Sequence, residues 1–222
     1  TKFQFDVSTI FRQIRNGMSS GVTEFSGGII IFFFNQAILR FISEDALVSY
    51  TIISYVNTIV VMSMTGIAQG SQPLISYYFG KGEPKKYRKL LKYGILSAAV
   101  FSVVVTAGCY AGASGIVGIF LDGENPALSV YSIKVFRIFI LSFLLAGYNV
   151  VIGGYFASIE KAGFATFISL TRSLIALVGC MMLLIAVLGG EGIWWSPLMA
   201  EAVCLVFSLL MLKRSFAKQR KN

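Results

Sequence analysis

Residues 66–92 read GIAQGSQPLISYYFGKGEPKKYRKLLK, and the passage from an apolar run carrying Gly, Gln and Pro into a dense basic cluster decides the fold. Six of the 19 lysines and arginines fall within residues 81–92, with long apolar runs on both sides. Such a cluster is the hairpin between two membrane helices, and its charge marks the side that faces the cytoplasm. Gly80, Gly82 and Pro84 supply the break that the hairpin needs.

The rest of the chain supports a membrane setting. Of 222 residues, 56% are hydrophobic and 13% charged, and the mean hydropathy is +0.76, whereas soluble domains use about 25% charged residues. Apolar runs at 17–41, 46–78, 89–120, 126–158, 163–188 and 193–212 predict six crossings. The fold class is therefore all-α integral membrane. Three basic residues precede residue 17, six lie at 81–92, one is Lys161, and five follow from 213 onward. The alternate loops, near 43–45, 122–125 and 189–192, carry acids and no lysine or arginine. Both termini are expected in the cytoplasm of a multi-pass protein of the cell (plasma) membrane. The organisation expected is a cytoplasmic interfacial linker at 1–16, a six-helix transmembrane lobe at 17–212 and a basic cytoplasmic tail at 213–222. Residues 1–16 mix apolar and basic positions without the apolar core of a signal peptide, so the chain is expected to begin mid-protein.

The net charge of +9 sits in short clusters between apolar runs, which reads as topology and not as a nucleic-acid surface. There is no histidine, and Cys109, Cys180 and Cys204 lie singly in apolar runs, away from any metal-ligand spacing. No cofactor and no enzyme activity are expected. The nucleophile-like string Gly112-Ala113-Ser114-Gly115 lacks a histidine base and reads as helix-end packing.

More is carried by ionisable groups inside the runs, because a charge there costs at least about 2.5–3.5 kcal/mol and turns to a partner or a cavity. Glu24, Lys134 with Arg137, Arg172 and Glu201 are such groups. Counted from each helix's own end at about 1.5 Å per residue, Glu24 and Arg172 share one depth, while Lys134, Arg137 and Glu201 share another. Depth thus permits two opposite-charge pairings. Ser20, Glu24, Gly27, Ile31 and Asn35 recur at helical spacing, so a carboxylate and an amide share one face. Glu24 with Asn35 is the candidate cation-coupling pair, taking a proton or sodium; a plain ion pair at Glu24 stays open as the other reading. The amides of Asn57, Gln69, Gln72 and Asn149 are expected to turn inward, and Asn57, Gln72, Arg137 and Asn149 are candidates for a substrate cavity. Pro73 disrupts bonding to the Gln69 carbonyl, which makes Gly66, Gly70 and Pro73 hinge or kink candidates. Gly66 to Gly70 and Gly108 to Gly112 also match Gly-x-x-x-Gly, which predicts close helix packing.

The string from Gly66 to Gly80, GIAQGSQPLISYYFG, resembles the multidrug and toxic compound extrusion (MATE) family. Glu44-Asp45-Ala46 with Ile53-Ser54-Tyr55, Tyr155-Phe156-Ala157 with Lys161-Ala162, and Glu201 extend the likeness over nearly the whole chain, to the second six-helix half of that family. The resemblance implies one lobe of a two-lobed, twelve-helix transporter that exchanges organic cations or drug-like molecules for sodium or protons by alternating access. It implies a missing amino-terminal six-helix lobe and the lipid bilayer as partners, and no nucleic acid. Glu24 matches an acidic position of the family's seventh helix that serves cation coupling in some branches. The tenth-helix acid of some members is replaced here by a stretch with Lys134 and Arg137. Two other assignments stay open: a lobe of a lipid-linked oligosaccharide flippase, and a non-transporting six-helix membrane subunit.

Overall fold

A computed structural model describes residues 7–121 and 125–221; the side chains of residues 7–10, 12, 15, 16, 19, 20, 22–24 and 218–221 lie outside what is described. Among the described residues the chain forms nine α-helical segments joined end to end into six rods. α1 is Val7–Phe41 and α2 is Ala46–Gly80. The third rod joins α3 (Pro84–Ala111) to α4 (Ala113–Phe120). The fourth joins α5 (Pro126–Phe139) to α6 (Phe143–Ser158) through a 3-10 turn at Ile140–Ser142. The fifth joins α7 (Ala162–Leu170) to α8 (Ala176–Leu188) through a π turn at Thr171–Ile175. The last is α9 (Gly192–Lys221). The six expected crossings are these six rods.

The breaks follow local chemistry. α2 ends at Gly80, Gly82 takes φ +68°, a left-handed value that glycine adopts without a Cβ clash, and Pro84 opens α3. Asn125 caps α5 by accepting the Leu128 N–H at 3.1 Å, with Pro126 at the first helical position. The helix expected to start near residue 89 begins five residues earlier, so its basic first turns project past the apolar span. α2 runs through Pro73 without losing its helical assignment.

α6 is the central element, packed against α2, α3, α7 and α9. In the α5–α6 rod 61% of the most apolar window is buried, against 17–33% in the other three long apolar spans. Small residues let its neighbours close in. A Cβ on Gly147 would lie 2.8 Å from Ser102 Oγ and 3.3 Å from the Ala98 Cβ of α3, and one on Gly154 would lie 2.9 Å from Gln72 Nε2 of α2. The Gly-x-x-x-Gly strings do not play this part: Gly66, Gly70 and Gly108 face open space, and Gly112 meets chiefly its own helix. A spacing motif cannot say which helix face is turned inward, and here these glycines lie off the packed stripe.

Among the described residues two large apolar clusters fill the bundle, beside a small one of Ala176, Cys180 and Ala200. One gathers Phe34, Tyr50, Met64, Phe136, Phe143 and Trp194; the other gathers Ile75, Tyr87, Val151, Tyr155, Phe156 and Ile168. Phe34 stacks on Tyr50 with ring centroids 4.8 Å apart, while Phe32 and Phe33 are exposed. Ser49 and Ser132 share a hydrogen bond of 2.8 Å between α2 and α5, and Trp194 Nε1 donates to the Tyr131 hydroxyl at 2.9 Å.

Candidate functional site

Between the two apolar clusters α6 carries a single amide, Asn149, which is 1% exposed. Its Nδ2 donates to Glu201 Oε2 at 2.8 Å and to the Glu201 main-chain carbonyl at 3.0 Å. Ser208, about two turns further along α9, donates to Asn149 Oδ1 at 3.0 Å. The other carboxylate oxygen, Glu201 Oε1, accepts from Arg172 Nε at 2.7 Å. Four side chains from three rods thus share one network.

Position and backbone explain the network. Glu201 lies nine residues into α9, about 14 Å from its start and near the middle of a hydrocarbon layer about 30 Å thick. A carboxylate at that depth needs a cation and hydrogen-bond donors, and it has both. Arg172 and Glu201 are 15% and 11% exposed, so solvent screens their attraction little. Arg172 stands in the five-residue π turn, a geometry that widens the helix and is frequent at functional sites. Beside it Thr171 Oγ1 is buried with no hydrogen-bond partner, and the Cys204 thiol points to the Ile168 carbonyl at 3.7 Å.

Depth permits Glu201 to pair with Lys134 or Arg137, and the structure pairs it otherwise. Glu201 meets Arg172, because the short turn at Gly189–Glu191 folds α8 back onto α9 and makes them direct neighbours. Lys134 pairs with Glu191 at the exposed end of the bundle. Arg137 lays its guanidinium over the Tyr110 ring, 4.9 Å from the centroid, and its Nε has no hydrogen-bond partner. Helix-by-helix depth says nothing about which rods touch.

Of the coupling candidates, Glu24 lies on α1 with its side chain outside the described residues, and Asn35 is half-buried on the same helix. Asn57 and Gln72 are half-buried on α2, and Gln72 lies against Gly154. Gln69 is exposed, against the expectation that it turns inward. Among the described residues no hydrogen bond joins Asn57, Gln72, Arg137 and Asn149 to one another; Asn149 is committed to Glu201 and Ser208. The residue that sequence reasoning missed is Ser208. Glu201, Cys204 and Ser208 fall at i, i+3 and i+7 of one helix, a polar stripe that the spacing alone could have revealed.

A family model described as MatE matches residues 20–182. Multidrug export protein MepA of Staphylococcus haemolyticus (strain JCSC1435) is 27% identical over 148 residues, which cover 66% of this chain and 32% of that protein. The protein of the same description in Staphylococcus aureus (strain NCTC 8325 / PS 47) is 25% identical over 151 residues, with the same coverage. Among solved structures, a MATE crystal structure in complex with MaL6 superposes with a TM-score of 0.91 at 17% identity, over 99% of this chain and 50% of that one. A multidrug resistance MATE family transporter of the MOP superfamily gives 0.90 in its outward-facing conformation at 18% identity, over 100% of this chain and 50% of that one. The inward-facing conformation under the same description gives 0.87 at 17% identity, over 99% and 51%. The chain spans about half the length of these structures and its match covers about a third of the curated relatives.

Proposed function

The chain belongs to the MatE family, and from that premise we propose that it forms the carboxy-terminal lobe of a two-lobed, cation-coupled exporter of drug-like organic cations. The observation that carries this reading is that one six-rod body is similar to half of both an outward-facing and an inward-facing transporter. A lobe that keeps its internal packing while the protein changes facing is what alternating access between two lobes requires. The Arg172–Glu201–Asn149–Ser208 network supports that rigidity by tying α6, the π turn and α9 together.

In this reading the partner is an amino-terminal six-helix lobe, and the cavity lies between the lobes. Glu24, with Asn35 above it on α1, takes a proton or sodium and so changes the relative stability of the two facing states, which is the step that couples ion entry to export. Both termini of the chain lie in the cytoplasm and the protein resides in the plasma membrane, as the basic loops favour. The test is flux in proteoliposomes: full-length protein should move a fluorescent organic cation against its gradient when a sodium or proton gradient is imposed. Flux that ignores both gradients would exclude the reading, and movement of an added lipid-linked oligosaccharide in its place would favour a flippase.

A further inference from the structure

At the end of the bundle that carries the basic loops, a cavity of about 510 Å³ opens between the α6–α7 turn and the last turns of α9. Glu160, Lys161, Phe164, Arg214 and Ser215 line it. Among the described lining residues the charge is two cations against one carboxylate. Lys161 Nζ donates to Ser215 Oγ at 2.6 Å, which holds the ammonium at the wall. Glu160 takes φ +56°, a left-handed value uncommon outside glycine, in the turn that brings it to the cavity's lining. The first intrahelical bonds of α7 run from Phe164 and Ala165 to the Lys161 carbonyl, so the N–H groups of the preceding helical positions stand at the same end.

Depth and surroundings say what fits. Arg214 is 22 residues beyond the start of α9, about 33 Å along the axis, so the cavity sits one hydrocarbon thickness from the opposite end of the bundle, at headgroup level. Below it the seam between α7 and α9 is apolar and open: Phe164, Phe167, Phe207 and Leu210 are exposed, and the Phe167 and Phe207 rings meet edge to face at 6.2 Å. A soluble phosphate would use the cations and leave the seam empty. An anionic glycerophospholipid uses both, with its phosphodiester on Lys161 and Arg214, a headgroup hydroxyl on Glu160 and an acyl chain along the aromatic seam.

We propose that this cavity is a binding site for an anionic phospholipid of the leaflet that faces the basic loops, a phosphatidylglycerol-type lipid with net charge −1. The inference rests on the membrane-spanning fold and stands apart from the transport reading. In the test, full-length protein in neutral detergent is titrated with phosphatidylglycerol, phosphatidylcholine or free glycerol phosphate, and bound lipid is counted by native mass spectrometry. Phosphatidylglycerol should bind at least about tenfold more tightly than phosphatidylcholine. Arg214→Gln should cut that preference about fivefold, and Lys161→Gln with Arg214→Gln should bring it near unity. Lys86→Gln removes a basic-loop charge outside the cavity lining, so it should retain the preference and serve as the control for net charge. Equal binding of the two lipids, an unchanged preference in Arg214→Gln, or displacement of phosphatidylglycerol by an equimolar amount of glycerol phosphate would each overturn the proposal.

Discussion

Replacing Glu201 by Gln tests whether the buried network holds the lobe together. The amide can still accept from Asn149, but Arg172 loses its counter-ion in a site where the two side chains are only 11–15% exposed. Two unit charges about 4 Å apart attract by about 4 kcal/mol at an effective dielectric of 20. Removing one member of a buried pair costs about 3–5 kcal/mol in soluble proteins, because the remaining charge stays buried. The unfolded state in a membrane or micelle finds partners of its own, which lowers that figure. The expected loss is about 2–4 kcal/mol, on the order of thirty- to a thousandfold in the unfolding equilibrium. The assay is SDS-titrated unfolding of full-length protein in mixed micelles, followed by tryptophan fluorescence. Arg172→Met combined with Glu201→Gln removes the stranded charge and should recover most of the loss, giving a coupling energy of about 2 kcal/mol or more. Single-variant losses below about 1 kcal/mol, or a double variant that simply sums the two, would refute the argument.

Three further predictions concern contacts between the helices. Gly147→Val should destabilise by about 1–3 kcal/mol in the same assay, because its Cβ would fall 2.8 Å from Ser102 Oγ and 3.3 Å from the Ala98 Cβ of α3. Gly66→Ala and Gly70→Ala, which face open space, should stay within about 1 kcal/mol of the native protein. Tyr110→Leu should cost about 0.5–2 kcal/mol through loss of the ring under Arg137, and Arg137→Met in the same background should add little, since the interaction is already gone.

The six rods were legible because length, hydropathy and loop charge are local properties of the chain. Gly80, Gly82, Pro84 and Pro126 punctuated it where the helices end or begin. Pairing was not legible. Arg172 stands in the π turn and is separated from Glu201 by α8 and a 3-10 turn, and nothing in hydropathy says that α8 folds back directly onto α9. The glycines show the same limit. Gly147 and Gly154 stand in no conspicuous motif yet give α6 its close contacts, while the motif at Gly66 and Gly70 faces outward. Asn149 was legible as a polar residue that must turn inward, because an unpaired amide in hydrocarbon is costly; that its partner is a carboxylate on α9 needed the fold.

The central claim, that ion entry is coupled to export through this lobe, is tested most directly at Glu24. The measurement is gradient-driven flux of a fluorescent organic cation by full-length Glu24→Gln protein in proteoliposomes, at matched incorporation and with normal unfolding. The account predicts that ion-driven flux falls at least about tenfold while binding of the cation is retained, because the variant can no longer change charge when the ion enters. Ion-driven flux equal to that of the unaltered protein would contradict it and remove Glu24 from the coupling mechanism.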